Sequence, residues 1–102
     1  MKFLAIETPG DAASPEIMRA LLPEEAARAW ELHKSGVLRE AYFTPEHDAV
    51  LILECASEAE ARAALASLPL VRERQIAFDL RRLNPYTGFE RLFQAKPSSA
   101  GE

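Results

Sequence analysis

Ala49-Val50-Leu51-Ile52-Leu53 is the longest unbroken apolar run in the chain. It falls far short of the ~20 residues that cross a bilayer, and it reads as a strand. Successive side chains of a strand point to opposite faces, so this strand is apolar on both. A strand of that kind needs cover on both sides. Whatever sheet contains it packs helices on one face and leaves the other face to be covered by something else.

The flanking residues supply the rest of the sheet. Lys2 to Thr8 reads as a first strand, with Leu4 and Ile6 on one face and Phe3, Ala5 and Glu7 on the other. We assign Leu4 and Ile6 to the helix side, so that Glu7 points away from the helices. Ser14-Pro15-Glu16 is a helix start with a hydroxyl cap and proline where no donor is needed. Pro23 is expected to interrupt that helix, and Pro23-Glu24-Glu25 to restart it with acidic residues at its positive end. The second piece runs to about Ser35, with Gly36 as its stop. Leu22, Ala26, Ala29, Trp30 and Leu32 form its apolar arc, so Trp30 is expected to pack on the sheet, with His33 inside the same arc.

Val37 to Thr44 and Ala49 to Cys55 are two strands joined by the turn Pro45-Glu46-His47-Asp48, which makes a hairpin. Ser57-Glu58-Ala59-Glu60 is a capping box opening a helix that Leu68-Pro69-Leu70-Val71 stops. A last strand runs from about Gln75 to Leu83, with Ile76, Phe78 and Leu80 facing the helices and Ala77, Asp79 and Arg81 facing away. The order is β-α-β-β-α-β, which implies an α+β, ferredoxin-like sandwich: a four-stranded antiparallel sheet with both helices on one face. One domain over residues 1–94 is expected. It includes an aromatic arm at 85–93 that is too apolar to be left in water, and a flexible tail follows at 95–102.

Composition excludes several functions. The chain has 102 residues and a net charge of −4. With no basic excess to pair with phosphates, nucleic acid is not an expected partner. The single cysteine, Cys55, has no disulfide mate and no zinc-type spacing. Its plain reading is a small buried residue at a strand end. His33 and His47 sit on separate elements, so no metal is expected, and the four glycines are scattered, so there is no phosphate loop. Neither a metal set nor a cysteine pair supports redox chemistry. Lys2 is followed by too short an apolar stretch for a signal segment. A cytoplasmic protein without a membrane partner or cofactor is the expectation.

Several stretches together carry a family resemblance. They are Trp30-Glu31-Leu32, Ser35-Gly36-Val37-Leu38-Arg39-Glu40, Ala49 to Glu54, Ser67-Leu68-Pro69-Leu70-Val71 and Asn84-Pro85-Tyr86. Over about residues 1 to 93 the chain resembles the muconolactone isomerase-like group of the dimeric α/β-barrel superfamily. The pattern is nearest an uncharacterised subgroup with a proline–aromatic–Gly-Phe-Glu-Arg-Leu-Phe tail. Two positions depart from that subgroup: His33 stands where an aromatic is usual, and Arg72-Glu73-Arg74-Gln75 leads into the last strand where small apolar residues are usual. The resemblance implies the fold, a homodimer or higher homo-oligomer, and a small-molecule cavity. It carries no catalytic residue across.

Candidate site residues come from the residue chemistry. Glu7, on the sheet face away from the helices, would be desolvated and suited to act as a base; the plainer reading is a solvated or paired strand-end carboxylate. His33 could shuttle protons, or simply bond a carbonyl near the helix C-terminus. Arg39 and Tyr42 on the second strand, and Asp79 and Arg81 on the last, could bind a substrate carboxylate, since guanidinium grips that group bidentately. Each has a plainer reading as an edge-strand or interface charge. Three functions follow. The first is a cofactor-independent proton shift on a small unsaturated lactone or carboxylate, with Glu7 or His33 as base. The second is a non-catalytic dimeric small-molecule-binding or stress-associated protein, with a cavity between the sheet faces or at the mouth beside the helices, lined mostly by Phe3, Ala5, Leu51, Leu53 and Ala77. The third is an assembly module whose cavity is filled by side chains.

Overall fold

The computed structural model describes residues 1–94, so the expected tail at 95–102 lies outside the described residues. The elements are β1 (Lys2–Pro9), α1 (Pro15–Lys34), β2 (Leu38–Phe43), β3 (Ala49–Glu54), α2 (Glu58–Ala66), α3 (Pro69–Arg72) and β4 (Ile76–Leu83), with a 3₁₀ turn at Gly88–Leu92. The strands form one sheet in the order β2-β3-β1-β4, every neighbouring pair antiparallel. This is the ferredoxin-like α+β sandwich that the element order implied.

The register decides which side chains meet the helices. Phe3 pairs with Leu53 and Arg82, Ala5 with Leu51 and Leu80, and Glu7 with Phe78. Directly paired residues share a face. Phe3 and Ala5 are completely buried, in one cluster with Leu32, Leu51, Leu53, Ala61, Leu65 and Leu68. Leu4 and Ile6 are therefore outward, and Glu7 points toward the helices, the reverse of the sequence expectation. Both faces of β1 carry apolar residues, so period-2 patterning gives its alternation without its phase. For β4 the expected orientation holds: Ile76 is buried, while Asp79 and Arg81 are exposed on the other face.

Helix α1 is one continuous helix through Pro23. Proline removes an N–H donor and crowds the carbonyl four residues earlier, that of Arg19. Both residues are exposed, so water can satisfy the freed carbonyl and the helix survives. With the helix unbroken, Met18, Leu22, Glu25, Ala29 and Leu32 fall at spacings of four and three, which is a single stripe. Trp30 lies off that stripe and is 58% exposed, so it does not anchor the helix to the sheet as expected. Gly36, at φ +85°, ends the helix. Its N–H donates to His33 O at 3.1 Å and that of Val37 to Leu32 O at 3.0 Å, the paired bonds of a Schellman stop.

Helix α2 opens as expected, with the Glu60 N–H donating to Ser57 Oγ at 3.2 Å. Ser14 occupies the start of α1, but its hydroxyl makes no cap bond. Instead Gln75, 2% exposed, holds that junction. Its Oε1 accepts from the Ser14 N–H at 2.8 Å, and its Nε2 donates to Ala12 O and Glu73 O, both at 3.0 Å. A buried amide with all these bonds made ties the β1–α1 loop to the start of β4. Gly10 belongs to the same lock, because a Cβ there would collide with the Arg74 carbonyl oxygen.

Among the described residues nothing covers the face away from the helices. Leu4, Ile6, Val50 and Ile52 form its centre, with Tyr42 toward one edge and Ala77 and Leu83 toward the other. Beyond β4, Tyr86 and Phe89 pack edge to face at 4.9 Å, and Phe93 is 84% exposed.

Candidate functional site

Between the inner sheet face and the helices lies a cavity of about 580 Å³. That is within the range of small-molecule sites. It lies on the helix side of the sheet, not between sheet faces, which was one of the two places expected. Leu51 and Leu53 line it, whereas Ala77 is on the opposite face. Most of its wall is apolar, from Met18, Leu22, Ala29, Phe43, Leu51 and Phe78. Two carboxylates break that wall.

Glu7 reaches it from β1. The pairing of β1 with β3 ends at Ile6–Val50, and the next N–H on β3, that of Ala49, donates to Glu7 Oε1 at 2.8 Å. Glu25 reaches it from α1. The start of a helix leaves backbone N–H groups without intrahelical acceptors, and in α3 one of these, on Leu70, donates to Glu25 Oε1 at 2.9 Å. Burial pushes the Glu25 carboxyl above its ordinary pKa; the Leu70 bond pulls it back, and the neighbouring charge of Glu7 pushes it up again, with Arg72 opposing weakly. In each carboxylate the second oxygen has no hydrogen bond among the described residues.

His47 stands at the rim. The hairpin turn holds it at φ +69°, closed by the Thr44 N–H to Asp48 O at 2.8 Å and the His47 N–H to Thr44 O at 2.8 Å. Its ring stacks on Phe43 at 4.0 Å and 13° between planes.

Of the residues expected from sequence, Glu7 and Tyr42 line the cavity. The Tyr42 hydroxyl, however, is on the outer face, donating to Glu40 Oε1 at 2.7 Å. The other four stand outside. His33 is exposed rather than inside an apolar arc; its Nδ1 is 3.1 Å from Leu38 O and its ring lies 5.4 Å from Trp30. Arg39 sits at the irregularity where β2 shifts register, and its Nε donates to Gly36 O at 2.6 Å. Asp79 and Arg81 pair with each other at 3.1 Å on the outer face.

Glu25 and His47 join the site without having been expected there. Glu25 is legible as a carboxylate within the 18–22–25–29–32 stripe, but only if α1 runs unbroken through Pro23. His47 has no comparable sign, since a turn histidine ordinarily faces water.

A second hollow, about 730 Å³ and wide open to solvent, lies between the end of α1 and the start of α2. Its arginine is occupied: Arg28 Nε donates to Ser67 Oγ at 2.8 Å and Nη1 to Glu31 at 3.1 Å. Cys55, on its wall, is buried, and burial raises its thiol pKa. Among the described residues no group of three or more His, Cys, Asp or Glu could hold a metal ion, and no helix is long and apolar enough to cross a membrane.

No family model matches the chain, and no curated protein sequence matches it. Among solved structures it is similar to 5-chloro-2-hydroxyhydroquinone dehydrochlorinase (TftG) from Burkholderia phenoliruptrix AC1100, in complex with 2,5-dihydroxybenzoquinone. The TM-score is 0.63 at 17% identity, over 82% of this chain and 94% of that one. At that identity the likeness speaks for the fold alone, the ferredoxin-like α+β sandwich described above.

Proposed function

We propose that the cavity binds a small unsaturated molecule and that Glu7 and Glu25 move a proton on it without a cofactor. The observation that carries this reading is the pair of carboxylates in one apolar cavity, each with an oxygen free. Glu7 removes a proton from a carbon next to a carbonyl, and the electron pair moves onto the carbonyl oxygen. Glu25, in its protonated form, donates a hydrogen bond to that oxygen as charge develops. Glu7 then returns the proton to the far carbon of the conjugated system, and atoms and charge are conserved. A proton shift of this kind is the reaction class that the muconolactone isomerase resemblance implies. That TftG is a dehydrochlorinase whose structure is a complex with 2,5-dihydroxybenzoquinone agrees with small-molecule conversion on this fold.

The test is proton exchange into a panel of unsaturated lactones and cyclic enones in D₂O, followed by NMR. Wild type is expected to catalyse exchange, and Glu7→Gln to lose it by roughly 10²–10⁴-fold, the usual worth of a positioned base. Absence of exchange in wild type across the panel sinks the catalytic reading. A second reading keeps the cavity without the chemistry. Each carboxylate already accepts a backbone N–H, a structural role that ligand binding alone would leave undisturbed. Binding without exchange is its signature. The void beside Glu7 speaks against the third reading, a cavity filled by side chains.

We propose further that the molecule is a homodimer joined through its uncovered sheet face, with residues 85–93 as an arm lying over the partner, and that residues 1–94 are one domain. The support is an apolar stripe along the centre of the outer face and an aromatic arm left in water.

A further inference from the structure

We infer, resting on the reading above, that the cavity selects uncharged, hydroxyl-bearing ring molecules and rejects carboxylates. The charge of the wall decides this. Among the described residues its ionisable groups come from Glu7, Glu25 and His47, the Tyr42 hydroxyl being turned to the outer face, and no lysine or arginine lines it. The arginines that a carboxylate substrate would need are elsewhere: Arg39 holds Gly36 O on the edge strand, and Arg81 holds Asp79 on the outer face. Arg72, whose charge reaches Glu25, is itself paired with Glu73 at 3.0 Å. A carboxylate entering the cavity would therefore meet two further carboxyl groups among apolar walls, with no guanidinium or ammonium beside it to neutralise its charge.

A hydroxyl group meets the opposite situation. The free oxygens of Glu7 and Glu25 are acceptors without donors, and a ring with two hydroxyls would supply both. The walls suit the ring itself, with Phe78 on β4, Leu51 on β3 and the stacked Phe43–His47 pair at the rim. An ammonium group would meet the right sign of charge, but it would leave its water shell for a largely apolar wall. Glu25's raised pKa favours the neutral class further, because a protonated Glu25 lowers the cavity's negative charge and can itself donate to a ring oxygen.

The experiment is a ¹H–¹⁵N titration of the intact protein at pH 7 with catechol, benzoate and benzylamine, which have similar ring size and differ in charge. The amides of Ala49 and Leu70 are the reporters, because they donate to Glu7 and Glu25. Catechol is expected to shift both amides and to bind at least tenfold more tightly than either benzoate or benzylamine. In the double variant Glu7→Gln with Glu25→Gln, the catechol-to-benzoate gap is expected to fall below threefold. If that variant does not fold, the wild-type ranking decides alone. Benzoate or benzylamine binding at these amides as well as catechol does overturns the inference and leaves the cavity-binding reading standing. A folded double variant that keeps the full gap also overturns it. If no probe moves either amide, the binding reading falls, and the inference with it.

Discussion

The residues that matter most here are ones whose surroundings contradict their type. Glu25 is a carboxylate in an apolar helix stripe, and its environment favours the protonated form. In the folded state its pKa is raised, so between the ordinary carboxylate value and the raised one the native protein holds a proton that the unfolded chain has released. Stability from this group is therefore present at acid pH and lost as pH rises through the raised value. Glu25→Gln keeps a carbonyl oxygen for the Leu70 N–H and removes the charge. The variant is expected to match wild type in urea unfolding near pH 4 and to show a higher midpoint at pH 7. A midpoint lower than wild type at pH 7 would mean that the ionised carboxylate stabilises the fold. Glu7 shows how far a sequence reading reaches at this scale. Its chemistry is plain from its position on β1, but its direction is not, because Leu4 and Ile6 compete with Phe3 and Ala5 for the inner face. Bulk favours neither set, and only the pairing of Phe3 with Leu53 and of Ala5 with Leu51 settles it.

Element ends were more legible than element interiors. Gly36 and Ser57 act at helix termini through their own backbone or side chain, so local residues suffice to place them. Pro23 is different, because its effect depends on whether water reaches the Arg19 carbonyl, and that is a property of the assembled fold. A break at Pro23 would cut α1 in two, put the apolar arc on Trp30 with His33 inside it, and leave Glu25 among the charges of a helix start. The continuity of α1 makes a prediction about cost. Proline in a helix interior is less favourable than alanine by about 3 kcal/mol, and here it is exposed and outside the buried core cluster. Pro23→Ala restores the donor to Arg19 O, and it is expected to stabilise the protein by about 1–3 kcal/mol in equilibrium unfolding, the upper end being the propensity difference itself. Ligand binding in the cavity should be unchanged, since Pro23 is not on its wall. A loss of stability would show that Pro23 shapes the stripe that carries Met18, Leu22 and Glu25.

At the scale of the whole molecule, the misassigned phase of β1 and the expected partner have one physical origin. A strand that is apolar on both faces hides its phase from pattern reading, and both faces are apolar because both need cover. The helices cover Leu51 and Leu53, while Val50 and Ile52, their neighbours along β3, face outward beside Leu4 and Ile6. A stable protein–protein interface buries about 800 Å² per partner, an area that a four-stranded sheet face with an aromatic arm can supply. Adjacent residues of one strand should therefore fail in different ways. Leu51→Glu places a charge in the core and is expected to unfold the chain. Ile52→Glu places the same charge on the outer face and is expected to leave the helices and sheet intact by circular dichroism, while converting a sedimenting dimer to a monomer at micromolar concentration. Truncation after Leu83 is expected to weaken the dimer without abolishing it, because it removes the arm and keeps the stripe. If wild type sediments as a monomer at micromolar concentration, or if Ile52→Glu stays dimeric, the outer face is not where two copies meet, and the apolar stripe of β1 and β3 needs another partner.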